Sequence, residues 1–287
     1  MLAILKKELN TYFKSMTGYI FMASLLFFVG LFFVLTNLMR MSPQYNSVLS
    51  NITFVFMLIV PILTMRLMAE EAKQKTDQLL LTSPISLPKI VIGKYLGAVS
   101  VLLLTLMITF IYPLILSTMG TVNWGEVFGG YIGFFLFGSA LIAVGLFISS
   151  LTDNQVIAAV ATFTVLLLFW FIDAIISSLP ADQTSGLIFA AILAAAIAFV
   201  FYTATRNWYI SGGIFLLGVL AVAAGYFIKP SIYSGLIAKV LSWFSLLSRY
   251  QDFSLGIFSI SPIVYYISFS SVFVYLTVRM LEKKRWS

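Results

Sequence analysis

The sequence predicts an all-α polytopic membrane protein. Of its 287 residues, 61% are hydrophobic and only 9% are charged, and the mean hydropathy is +1.05. A soluble domain carries roughly 25% charged residues, so this chain cannot clothe itself in a water-facing surface. Its apolar residues also gather in runs of the ~20 residues that a helix needs to cross a bilayer. Backbone groups in lipid must be satisfied within the segment, which makes such runs helices. The ~10-residue alternating pattern of a barrel strand does not occur.

About eight runs qualify as transmembrane helices: 17–37, 49–69, 91–117, 128–150, 155–177, 186–204, 210–228 and 260–280. Lys6, Lys7 and Lys14 precede the first run, as they would in a secretory leader. That run is span-length, however, and no small-residue cleavage site follows it, so it reads as a retained span. Eight spans place both termini on one side. Lys6, Lys7, Lys14, Arg66, Lys73, Lys75, Lys89, Lys94, Arg206, Arg279, Lys283, Lys284 and Arg285 fall on that side; only Arg40, Lys229, Lys239 and Arg249 fall opposite. Excess Lys and Arg marks the cytoplasmic face. Both termini are therefore expected in the cytoplasm, and the net charge of +7 reflects span ends rather than a nucleic-acid partner.

Two segments are amphipathic. In residues 1–16, Leu2, Leu5, Leu9 and Tyr12 share a helical face, with Lys6, Lys7, Asn10 and Lys14 elsewhere. That pattern predicts an interfacial helix on the inner leaflet. In the outer segment 229–259, Ser231, Gly235, Ala238, Ser242, Ser245 and Arg249 form a small or polar stripe. Leu236, Val240, Phe244 and Leu247 form an apolar one. This predicts an outer amphipathic helix lying on the surface or dipping into it; a plain connector is the alternative. With no linker and no short repeat, residues 1–287 read as a single transmembrane domain.

The loop over residues 70–90, after the second span, carries the most information. Its charges gather at the membrane exit, in Glu70, Glu71, Lys73, Lys75 and Asp77. Thr76 or Asp77 can cap a short helix, and Pro84 limits it, because the residue before proline avoids the helical region. About two turns result, centred on Leu79, Leu80 and Leu81. Three adjacent leucines cannot share one helical face, so at least one turns toward the cytosol or a partner.

At these residues the chain resembles the ABC-2 type permeases. The matching positions are Glu70-Glu71, Thr76, Leu79-Leu80, Pro84-Ile85-Ser86 and Gly93-Lys94. It departs from the pattern at Lys75, where glycine is usual, and at Gln78, where an acid is usual. The C-terminal Tyr250, Phe253, Gly256, Tyr265-Tyr266, Thr277, Arg279, Leu281-Glu282 and Arg285-Trp286 look like the tail of the branch with gliding-motility and nitrous-oxide-reductase-maturation permeases. The resemblance implies two permease halves, identical or not, in a bacterial plasma membrane. Each half inserts its loop into a cytosolic nucleotide-binding ATPase subunit, with Glu70, Glu71, Thr76, Asp77, Gln78, Leu79, Leu80 and Pro84 at the junction. It also implies a path between the halves lined by spans one, two and five, with Phe33, Phe54, Met57, Leu58, Phe163 and Phe169 as candidates.

No catalytic constellation is legible. Without Cys or His, the usual metal ligands and neutral-pH bases are missing. A phosphate-binding loop needs glycine five residues before its Gly-Lys pair; Pro88 stands there before Gly93-Lys94. No metal and no cofactor is therefore expected on this chain, and ATP with Mg²⁺ belongs to the partner subunit. Asp173 lies about one turn inside span five and reads as an interfacial acid. Gly138, Ser139, Ala140, Ala143 and Gly145 are spaced for close helix packing. The leading expectation is ATP-driven export of a hydrophobic or amphipathic cargo. An ATP-independent secondary carrier or channel is the alternative, weakened by the lack of acids clustered near the midplane.

Overall fold

The computed structural model describes residues 2–78, 85–228, 231, 233–257 and 259–286. These form an all-α polytopic membrane protein. Among the described residues seven helices are long and apolar enough to cross a bilayer: Met16–Leu38, Asn46–Lys73, Leu87–Met119, Trp124–Leu151, Gln155–Ser178, Gln183–Thr203 and Ile260–Arg285. A shorter apolar stretch, Ser211–Ala223, lies within a further helix, Trp208–Ile228. Each corresponds to one of the eight runs expected from the sequence.

In chain order the helices are α1 (Leu2–Lys14), α2 (Met16–Phe33, extended by a π-turn over Val34–Leu38), α3 (Asn46–Thr64) and α4 (Ala69–Lys73). Then come α5 (Leu87–Thr109), α6 (Ile111–Met119), α7 (Trp124–Leu151), α8 (Gln155–Ser178) and α9 (Gln183–Thr205). The last are α10 (Trp208–Ile228), α11 (Leu236–Leu241), α12 (Leu246–Ser254) and α13 (Ile260–Trp286). They divide into two compact units, Met1–Leu168 with Leu247–Ser287, and Phe169–Leu246.

The first unit is built around α7, the most deeply buried span, with α3, α5 and α13 packed against it. Lipid removes the hydrophobic drive for helices to associate, so close packing must supply it, and small residues permit that. A Cβ on Gly138 would stand 2.6 Å from Leu102 Cδ2 and 3.0 Å from Phe56 Cζ, and Gly145 abuts Thr64. The small-residue stripe on α7 is thus a packing face, as its spacing indicates.

Span three is not one rod. The run 91–117 predicts a single helix, yet α5 stops at Thr109 and α6 restarts at Ile111. Pro113 explains this: it offers no N–H to the carbonyl four residues back, Thr109, and its ring crowds that carbonyl. The Thr109 hydroxyl lies 3.2 Å from the Tyr131 hydroxyl, which donates to that of Tyr45 at 3.0 Å. Three buried hydroxyls thereby join the end of α5 to α7 and to the entry of α3.

In the two amphipathic segments the structure shows which side chains face the protein. In α1 the buried side chains are Ile4, Glu8 and Tyr12, one face at four-residue spacing, while Leu2 is exposed. The helix packs against α5, and the Tyr12 hydroxyl donates to the Leu63 carbonyl at 3.0 Å. Its interior face is therefore chosen by an ion pair and a hydroxyl rather than by leucines. The outer segment is not one continuous helix: α11, a 3₁₀ turn over Ser242–Phe244 and α12 follow one another. Within α12, Tyr250 and Phe253 are fully buried, with Phe253 pressed on Gly133 of α7. Phe244, assigned to the apolar stripe, is exposed, whereas Ser245, assigned to the polar one, is buried. The break at Ser245 resets the register between the two stripes.

The second unit holds the hairpin of α9 and α10, with α11 packed on α9. Asp182 caps α9, accepting from the Ser185 N–H at 3.2 Å and hydroxyl at 2.7 Å. Hydrogen bonds from Thr184 and Ser185 hold its carboxyl down to about 2. The Tyr233 hydroxyl donates to the Val222 carbonyl at 2.8 Å, and the Gly235 N–H to the Ala181 carbonyl at 3.1 Å.

Candidate functional site: the root of the first loop

Four elements of the first unit meet where the chain leaves α3 and enters the loop before α5. Lys94, about two turns into α5 and only 2% exposed, has its Nζ 2.8 Å from Glu8 Oε1 of α1 and 2.9 Å from Glu71 Oε2 of α4. The other Glu71 oxygen accepts from Lys7 at 2.9 Å. The charges alternate as Glu8, Lys94, Glu71, Lys7. Losing one partner of a buried ion pair typically costs about 3–5 kcal/mol, because the other is left uncompensated. Burial pulls the Lys7 amine down, but its hydrogen bond to Glu71 and the fields of Glu71 and Glu8 outweigh this and raise it.

Backbone geometry makes this meeting possible. Gly97, one turn after Lys94, leaves the space taken by the Glu8 side chain: a Cβ there would lie 2.7 Å from Glu8 Cβ. Beside this chain, Arg66 grips Glu70 through Nε at 2.5 Å and Nη2 at 2.6 Å, while Nη1 donates to the Thr17 hydroxyl at 2.8 Å. Such a two-pronged guanidinium–carboxylate pair fixes direction as well as distance.

Ser149 completes the root. The first N–H groups of any helix lack partners within it. At the start of α4, the Met68 and Ala69 N–H groups both donate to Ser149 Oγ at 3.1 Å, and the hydroxyl donates to the Met65 carbonyl at 3.1 Å. The central helix thus caps the loop helix. Beyond α4 the chain turns at Lys75, whose φ is +57°, in the left-handed region that glycine occupies freely.

The expected junction residues divide into two groups. Glu70 and Glu71 lie at the root, turned inward and ion-paired. Thr76 and Gln78 are exposed and Asp77 is half-buried. The Thr76 hydroxyl donates back to the Glu71 carbonyl at 3.4 Å, and Asp77 accepts from the Gln78 N–H at 2.9 Å, where a new helical turn opens. Leu79, Leu80 and Pro84 lie outside the described residues.

The six path candidates differ in burial. Phe54 and Leu58 are exposed on one face of α3, whereas Phe33 and Met57 are buried. Phe33 packs against Tyr112 and Tyr45, with ring centroids 5.1 and 6.4 Å apart. Phe163 is half-buried in the first unit and Phe169 half-buried in the second. Asp173 is half-buried on α8. Among the described residues no three acids gather as metal ligands would.

Sequence reasoning missed Glu8, Lys94 and Ser149. The sequence did hold a signal for Glu8: it shares a face with Ile4 and Tyr12, an acid where an interfacial helix would carry an apolar residue.

A family model described as ABC-2 family transporter protein matches residues 37–186, just over half of the 287-residue chain. The match runs from the π-turn that ends span one through the loop root and α7 to the start of α9. No curated protein sequence matches the chain.

Proposed function

Since this chain belongs to the ABC-2 transporter family, we propose that it is the membrane-spanning permease half of an ATP-binding-cassette exporter. A separate cytosolic subunit binds and hydrolyses ATP with Mg²⁺, and a second permease half, identical or homologous, completes the membrane part. The excess of Lys and Arg on the loop side supports a cytoplasmic loop and cytoplasmic termini in a bacterial plasma membrane. The scarcity of charge along the spans supports a hydrophobic or amphipathic cargo, moving along a face that includes Phe54 and Leu58.

The observation that carries this reading is the contrast within the first loop. Its root is fixed by Arg66–Glu70, by Lys94–Glu71 and by the hydroxyl of Ser149, while Thr76 and Gln78 face outward. A segment fixed at its base, with Thr76 and Gln78 turned outward beyond it, suits transfer of motion from an external body. Residues 76–84, with Leu79 and Leu80 at their centre, are the docking element. The test is purification of the native complex from the chain carrying Leu79→Asp with Leu80→Asp. Loss of a co-purifying Walker-type ATPase subunit that the unaltered chain retains is the expected result. Full retention by the double variant removes the loop from docking.

A further inference from the structure

We propose that Lys94 is the positioning residue through which motion of the loop enters the membrane. This deepens the docking assignment and rests on it. Lys94 is the one residue of α5 whose side chain bonds at once to the loop helix, through Glu71 at 2.9 Å, and to the N-terminal helix, through Glu8 at 2.8 Å. At 2% exposed, the ammonium has little water to fall back on, so breaking either pair is far costlier than it would be at a surface. Gly97 allows α1 to lie directly on α5 beside this pair, and Lys7 neutralises the second oxygen of Glu71. The loop helix, α1 and the first turns of α5 therefore move as one body. A shift imposed on the loop helix is handed to a transmembrane helix by these paired charges.

Among the described residues Lys94 pairs with Glu8 and Glu71, so its effect on movement is read separately from recruitment, per ATPase subunit retained. The test uses the complete complex in phosphatidylethanolamine–phosphatidylglycerol vesicles. The chain lacks cysteine, so Met39→Cys, exposed at the far end of span one, supplies a single thiol. The readout is its rate of maleimide labelling with and without ATP. In the Lys94→Met variant the ATP-dependent change in labelling, normalised to the ATPase subunit retained, falls about tenfold, as expected when a coupling of 1–3 kcal/mol is lost. Lys94→Arg, which keeps the cation, restores the change.

If Lys94→Met does not fold, Lys94→Met combined with Glu8→Gln carries the same test, because Glu71 then still has Lys7 and no charge is left uncompensated. A full labelling response in either neutral variant overturns the proposal, as does a Lys94→Arg variant no better than Lys94→Met. An unaltered chain that retains no ATPase subunit overturns the docking assignment, and this proposal with it.

Discussion

The hydroxyl of Ser149, near the end of the central helix, stands 3.1 Å from the N–H of Ala69, the first residue of the loop helix. One side chain of the most buried span therefore sets where the first loop begins.

Replacing Ser149 by Ala strands two buried N–H donors and the Met65 carbonyl at once. Leaving such groups unpaired costs about 1–3 kcal/mol. The Ser149→Ala chain should unfold at lower temperature and be cut faster by trypsin at Lys73 and Lys75. Thr at this position keeps the hydroxyl and should recover most of the loss. Unchanged cleavage in Ser149→Ala would show that the cap does not hold the loop.

Lys75 offers the opposite sign. A side chain in the left-handed region costs about 1–2 kcal/mol, and glycine relieves it while giving back part of the gain through greater freedom in the unfolded chain. The Lys75→Gly chain should show amide exchange over residues 70–78 slowed by about fivefold, the equivalent of about 1 kcal/mol of local opening. Global thermal stability should barely move. Faster exchange would mean that the lysine side chain makes a stabilising contact that outweighs its backbone conformation.

Gly133 tests how α12 is seated. A Cβ there would lie 2.5 Å from both Cβ and Cγ of Phe253, atoms too near the backbone to swing aside. Overpacking of this kind costs about 1–3 kcal/mol. In Gly133→Ala, a cysteine introduced at Ser254 should react faster with a membrane-impermeant maleimide, as the helix is lifted from α7. An unchanged rate would show that α12 adjusts without leaving its seat.

The eight apolar runs, the packing stripe at Gly138–Gly145 and the importance of the first loop were legible because each is local. Hydropathy accumulates along one segment, and small residues declare a close approach whatever the neighbour. The ion chain was not legible, because Glu8 and Lys94 are 86 residues apart and each alone resembles an ordinary charge at a span end. Ser149 was silent for the same reason: a serine in an apolar helix usually bonds its own preceding turn, and only the fold reveals that this one serves another helix. The break at Pro113 could have been read, since the rule that a proline disrupts the helix four residues earlier needs no tertiary information. The reset at Ser245 could not, because helical spacing cannot register a turn that changes pitch.

The interruption after Thr109 also sets the length of the unbroken part of span three. From Lys94 to Thr109 α5 is unbroken, a rise of roughly 22 Å at 1.5 Å per residue, against a hydrocarbon thickness of ~30 Å. Past that point Phe110 shares its N–H between two carbonyls, those of Leu106 and Met107, and α6 starts afresh. The unbroken part of α5 thus covers about three-quarters of that thickness before it reaches the hydroxyls of Thr109, Tyr131 and Tyr45. The remaining nine residues of the span, Ile111–Met119, follow the single turn residue Phe110 as a short helix of their own.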